Sequence, residues 1–221
     1  MTYVICCSKN WFTKNFSEKF KKKFKYIFDK KKLNYLAIKK INPKIIFFCH
    51  WSYIVPKNIF NNFLCINFHT APLPFGRGGS PIQNLIQRGI KKTPVCAIKM
   101  GDRIDAGPIY LKKNIQLTGS LNTILTSIVL KIEIMILELI KKLPKPKNQK
   151  GAIKVFKRLK PKMSEIKKND KFSKIYDKVR MLDSIEYPRA FIKFNNFIIK
   201  FSNIKKKGLN AFSASCYIEK K

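Results

Sequence analysis

Histidine and acidic residues are scarce in this chain, with two histidines and twelve carboxylates against 47 lysines and arginines in 221 residues. Proton chemistry near neutral pH is therefore confined to His50 and His69. No carboxylate lies between Asp29 and Asp102, so the first acids after either histidine are Asp102 and Asp105. There is no Cys-x-x-Cys pair and no histidine-rich run, which excludes a zinc site or a disulfide framework as an expectation. Cys6, Cys7, Cys49, Cys65 and Cys96 fall within apolar runs and read as reduced core residues of a cytoplasmic protein; Cys216 lies near the C-terminus. Uninterrupted apolar stretches of membrane-spanning length are also missing. Residues 121–143 come nearest but carry Lys131, Glu133 and Glu138, so they predict a buried amphipathic helix capped near Ser120, with no membrane contact. The chain opens on a strand, and no leader is expected.

What remains after so few acids is a formal charge of +35. The lysines are dispersed, at 21–23, 30–32, 205–207, Lys220 and Lys221, and they accompany abundant Ile, Asn, Phe and Tyr. That pattern fits solvated faces and a general compositional bias better than a dedicated polyanion stripe. Such a field would still attract a phosphorylated or nucleotide-linked substrate.

With 45% hydrophobic residues, the chain supports one main core and a small appended unit. Short apolar runs alternate with longer amphipathic segments over the first half, which predicts an α/β fold: a Rossmann-like, mostly parallel sheet flanked by helices. Strands are expected at 3–7, 25–28, 45–49, 64–68, 95–100 and 109–111, and helices at 11–24, 33–41, 56–61, 81–88 and 121–143. Residues 144–151, rich in Pro, Lys and Asn, read as a linker. A helix at 172–182 and a hairpin of 189–194 with 197–201 then predict a small C-terminal extension. The expected division is a catalytic domain at 1–143, the linker, and a small subdomain at 152–221.

In open α/β sheets, ligands collect beyond the carboxyl ends of strands. Two such ends, at residues 50–56 and 67–80, carry the histidines. A parallel sheet would align these ends with the turn that bears Asp102 and Asp105. Asn67 and His69 precede a loop containing Leu73-Pro74, Arg77-Gly78 and the helix start Pro81-Ile82, and Asp105-x-Gly107 follows one strand later.

In that order, these motifs resemble the folate-dependent formyltransferase family, whose members modify glycinamide ribonucleotide, methionyl-tRNA or amino sugars. The resemblance covers about residues 45–112 and returns near 175–201, at Val179, Arg180, Met181, Leu182, Tyr187, Pro188, Ala190 and Phe191. It implies that 10-formyltetrahydrofolate is the formyl donor and that Asn67, His69 and Asp105 are catalytic. Asn67 would donate to the formyl oxygen, His69 would stabilise the oxyanion or act as general acid, and Asp105 would orient His69 and help take the amine proton. Ser52, Tyr53 and Ile54, with Asp102 and Ile104, are implied to hold the folate. Trp51 and Tyr53 are offered for stacking or for packing. Phe75, Arg77, Gly78 and Ser80 are implied to face the amine, with Arg77 either contacting a phosphate or sugar or lying solvated. Residues 8–11 depart from the family in lacking a Gly-rich turn.

The region after residue 151 looks short for the C-terminal barrel of the methionyl-tRNA branch, so the first expectation is an acceptor among nucleotide-linked or phosphorylated amino sugars. Methionyl-tRNA formylation is the alternative. A third reading is a non-catalytic polyanion-binding protein with a decayed core; the joint presence of Asn67, His69 and Asp105 speaks against it. A homodimer is left open.

Overall fold

The computed structural model of the protein describes residues 1–184 and 186–220, so Ile185 and Lys221 lie outside it. The chain forms two compact units. One comprises Met1–Gly78, Thr93–Ile115 and Thr126–Val155; the other comprises Gly79–Lys92, Gln116–Leu125 and the chain from Phe156 onwards. The expected division at 1–143, 144–151 and 152–221 is sequential, whereas these units alternate along the chain. Hydrogen bonds between sequence-distant segments are the reason. The Gly79 N–H donates to the Phe156 carbonyl (3.0 Å) and the Leu159 N–H to Ser80 Oγ (3.2 Å). Arg180 Nη1 donates to the carbonyls of Leu117 (2.8 Å) and Gly119 (3.0 Å).

In chain order the first unit starts with β1 (Tyr3–Cys6), α1 (Asn10–Lys14), α2 (Glu18–Lys21), β2 (Lys25–Ile27), α3 (Tyr35–Ile41), β3 (Ile45–Phe48), α4 (Lys57–Phe60), β4 (Cys65–His69) and β5 (Phe75–Gly78). After α5 (Pro81–Ile86) come β6 (Lys92–Lys99), β7 (Ile109–Gln116), the long α6 (Leu121–Lys141) and β8 (Lys154–Phe156). The C-terminal part holds α7 (Phe172–Arg180), β9 (Phe191–Phe194), β10 (Phe197–Lys206) and β11 (Phe212–Lys220).

Six strands form one sheet in the order β2-β1-β3-β4-β6-β7. The first four run parallel, with Ile46, Phe47 and Phe48 of β3 opposite Cys65, Ile66 and Asn67 of β4. All four residues of β3 are buried, as a central strand covered on both faces requires. β6 runs antiparallel to β4, pairing Asn67 with Ile98 and His69 with Cys96. Aligned strand ends therefore do not bring Asp105 to the histidine. β6 ends beside the start of β4, where the Met100 N–H donates to the Cys65 carbonyl, and the turn after it folds back along the strand.

The single helix expected at 11–24 is broken into α1 and α2. Ser17 gives its backbone N–H and its hydroxyl to the two carboxylate oxygens of Glu133 (3.0 and 2.5 Å). With ψ near 147° it is extended and cannot carry a helical ladder. Glu138 of α6 likewise pairs with Lys113 (2.6 Å), so both acids of this apolar helix have partners. Ser120 Oγ accepts the Thr123 N–H (3.1 Å), capping the helix where expected. No helix among the described residues is long and apolar enough to cross a membrane.

Beyond the expected hairpin lies a third strand, so the C-terminal extension is α7 with an antiparallel β11-β10-β9 sheet. Its β10–β11 register shifts between Ser202 and Lys205, where Asn203 takes a left-handed conformation (φ 52°). All six cysteines are free thiols, and only Cys216 is exposed. Burial pushes Cys7 and Cys96 up to about 11 and Cys65 to about 12, keeping them neutral packing residues.

Candidate active site

Side chains two apart on a strand share a face, so β4 directs Asn67 and His69 to one side and the buried Ile66 and Phe68 to the other. The turn opposite is shaped by two backbone constraints. Asp105 is left-handed (φ 52°), a conformation aspartate tolerates better than most residues. At Gly107 a Cβ would sit 1.7 Å from the Lys99 carbonyl oxygen, so only glycine lets the turn lie this close to β6.

The turn places the Asp105 carboxylate between the other two members of the trio. Oδ1 accepts from Asn67 Nδ2 (3.2 Å). Oδ2 accepts from the Gly78 N–H (3.0 Å) and lies 3.3 Å from His69 Nδ1. The other ring nitrogen, Nε2, is 2.7 Å from the Gly76 carbonyl. Both ring nitrogens thus face acceptor oxygens. The His69 and Asp105 side chains are 8% and 9% exposed, so their interaction is little weakened by water. Gly76 and Gly78 (φ 93° and 94°) place this backbone where it caps the trio. The stretch was expected as a loop; it forms β5 and pairs with β8.

His50 lies in the loop after β3. Its ring meets Trp11 (5.4 Å) and Phe12 (5.7 Å) edge-on, and its carbonyl accepts from Ser8 Oγ (2.8 Å). Ser8 Oγ also accepts the Ser52 N–H (3.1 Å), joining the loops after β1 and β3. Trp51 stands edge-on to Phe48 and Tyr53 and packs against the core beneath β3. Tyr53, Ile54 and Ile104 are exposed apolar residues at 46%, 77% and 66%. Lys57 at the start of α4 pairs with Asp102 (3.3 Å), tying the helix that follows the first of these loops to the turn that holds Ile104.

Of the residues expected to face the amine, Phe75 is half-buried in β5, while Gly78 spends its N–H on Asp105. Arg77 gives Nε and Nη2 to Gln149 Oε1 (3.1 and 2.8 Å). Ser80 belongs to the second unit, where its hydroxyl accepts from Leu159. Gln149 escaped sequence reasoning because it sits in the stretch read as a linker. That stretch is held down: Lys147 exchanges both backbone hydrogen bonds with Ile109 (2.7 and 2.9 Å), and Gln149 Nε2 donates to the carbonyls of Asp105 (2.8 Å) and Gly107 (2.9 Å). Among the described residues no cluster of three or more His, Cys, Asp or Glu could hold a metal.

Two family models match the chain: formyl transferase at residues 14–126, and the methionyl-tRNA formyltransferase C-terminal domain at residues 161–219. A solved methionyl-tRNA formyltransferase from Clostridium thermocellum is 44% identical, with a TM-score of 0.95 and complete coverage of both chains. The chain belongs to the formyl transferase family. A methionyl-tRNA formyltransferase from Sulfurihydrogenibium is 29% identical over 179 residues, covering 76% of this chain and 57% of that protein. The chain spans between 27% and 57% of the length of the first curated relatives it matches. HypX from Aquifex aeolicus, solved with tetrahydrofolic acid, shares the fold at 15% identity and TM-score 0.76, over 95% of this chain and 39% of that one.

Proposed function

We propose that this chain transfers a formyl group from 10-formyltetrahydrofolate to the amino group of methionyl-tRNA. The observation that carries the chemistry is the buried Asn67–His69–Asp105 cluster. Acyl transfer to an amine passes through a tetrahedral oxyanion, so it needs donors aimed at one oxygen and a base for the ammonium proton. Asn67 uses one amide hydrogen on Asp105 and keeps a second for the oxyanion. His69 supplies the other donor once Nε2 exchanges Gly76 for that oxygen. Asp105 holds the His69 ring by its Nδ1 and accepts the amine proton through water. As the intermediate collapses, the bond from the formyl carbon to N10 of the donor breaks, and N10 takes up a proton to leave as tetrahydrofolate.

Support for the acceptor lies in the C-terminal segment. The amino-sugar expectation rested on that segment looking too short for the methionyl-tRNA branch, yet residues 161–219 match the C-terminal-domain model of that branch. The 44% identical relative of the same length points the same way. A charge of +35 is also well suited to a polyanionic acceptor. For the donor, the support is the trio together with the exposed Tyr53, Ile54 and Ile104.

The test offers purified protein 10-formyltetrahydrofolate with methionine-charged initiator tRNA or a panel of nucleotide-linked amino sugars, with His69→Ala as control. We expect formylmethionyl-tRNA from the wild type and a loss of about 10² to 10³ in rate for the variant. Sugar formylation without tRNA formylation would overturn the acceptor. Salt-sensitive RNA binding without any transfer would overturn the enzyme reading itself.

A further inference from the structure

The structure assigns Gln149 as a positioning residue for Asp105, with Arg77 as part of the same clamp; the inference rests on the trio read above as the formyl-transfer site. A primary amide has two donor hydrogens and two acceptor lone pairs, and Gln149 uses all four. Oε1 takes Arg77 Nε (3.1 Å) and Nη2 (2.8 Å), while Nε2 gives to the Asp105 and Gly107 carbonyls (2.8 and 2.9 Å). The opposite amide orientation would set NH₂ against a guanidinium and oxygen against two carbonyls, so the network admits one assignment.

The two carbonyls flank Ala106, so Gln149 pins both sides of the turn on which Asp105 is left-handed. Through Arg77 it also holds β5, whose Gly76 carbonyl and Gly78 N–H cap His69 and Asp105. One side chain therefore ties together the two segments that set the carboxylate's place. Glutamate would keep the bonds from Arg77 but set an acceptor against two carbonyls. Alanine would remove both halves. With every polar site spent inside the protein, Gln149 has none left for substrate. Arg77 spends two of its five N–H donors on this clamp, which leaves three for the phosphate or sugar contact expected of it.

The experiment measures formyl transfer by the full chain for wild type, Gln149→Ala, Gln149→Glu, Asp105→Asn and the Gln149→Ala/Asp105→Asn double variant. Alongside it, hydrogen exchange is followed at the Gly78 amide, which Asp105 holds. A small displacement of a catalytic group costs up to about 100-fold, so kcat of Gln149→Ala should fall about 10- to 100-fold with KM for donor and acceptor within about 3-fold. Gln149→Glu should be at least as slow despite its matching size. The double variant should be no slower than Asp105→Asn alone, because a group that acts through Asp105 has nothing left to position. Gly78 protection should drop in both single Gln149 variants.

A general packing role predicts the reverse: a milder Glu variant, losses that multiply in the double variant, and an unchanged Gly78 amide. Any of these overturns the inference, as does a loss confined to KM. Should wild type transfer no formyl group, the functional reading fails, and Gly78 exchange still decides whether Gln149 positions Asp105. Should Asp105→Asn be slow while Gln149→Ala matches wild type, the functional reading stands and this inference falls.

Discussion

Replacing Asp105 with asparagine keeps its size and removes its charge, and the geometry allows the cost to be worked out. The carboxylate accepts from Asn67 on one oxygen and from Gly78 on the other, with His69 Nδ1 beside the second. Asparagine has one acceptor oxygen, so either rotamer points its NH₂ at a donor: Asn67 in one, Gly78 and His69 in the other. A hydrogen bond to a charged group is worth about 1.5–3 kcal/mol, and a stranded buried donor costs about 1–3 kcal/mol. On the proposed mechanism the first loss falls on the His69 ring, which would give its proton to the oxyanion. At about 1.4 kcal/mol per factor of ten it slows the chemical step about 10- to 150-fold. The second falls on the folded state and lowers the melting midpoint by about 2–4 °C per kcal/mol in a chain of this size. Single-turnover formyl transfer at saturating donor, read beside a thermal melt, separates the two. An Asp105→Asn protein that keeps more than half of the wild-type rate, or that changes only KM, would refute the role assigned to this carboxylate.

Two further substitutions test the frame around the site. Gly107→Ala places a Cβ 1.7 Å from the Lys99 carbonyl oxygen, a clash with backbone that the turn must shift to relieve. It should cost about 3 kcal/mol or more, at the upper end of overpacking, so a denaturation midpoint equal to wild type would contradict the close approach. Asp170, whose side chain is 4% exposed, pairs with Lys178 (2.6 Å) and Lys174 (2.7 Å) and accepts the Lys167 N–H (3.0 Å). Burial alone would raise its carboxyl, but these donors and ammonium groups outweigh burial and hold it well below the usual range. A depressed folded value means stability that is present above the unfolded value of about 4 and is lost as pH falls toward the folded one. Asp170→Asn should cost about 3–5 kcal/mol at pH 7, where it leaves buried Lys178 without its counter-charge. The gap to wild type should narrow in urea melts at pH 3; a constant gap would refute the ion-pair account.

Much of the fold was legible because helix and strand preferences are written over a few neighbouring residues. β1, β3 and β4 follow from apolar runs, α6 from its amphipathic length and Ser120 cap, and the β9–β10 turn from Asn195-Asn196. The failures share one physical cause, the long-range partner. Ser17 breaks a plausible helix only because Glu133, distant in sequence, takes both its donors. Residues 75–78 look like a loop until β8 arrives to pair with them, and β11 shows its role only against β10. Lys147 and Gln149 read as linker until Ile109 and Asp105 accept their hydrogen bonds.

Scarcity in the sequence narrowed the candidates, with two histidines and no acid between Asp29 and Asp102, and the resemblance to the formyltransferase family pointed to Asn67, His69 and Asp105 among them. Alternation along β4 then put Asn67 and His69 on one face. Tertiary structure supplies the means by which His69 and Asp105 meet while His50 and Asp102 find other partners. His50 packs among Trp11 and Phe12, Asp102 pairs with Lys57, and Asp105 reaches the trio because β6 reverses direction and its turn folds back. Strand direction depends on the free energy of pairing distant segments, and no short window of residues contains that information.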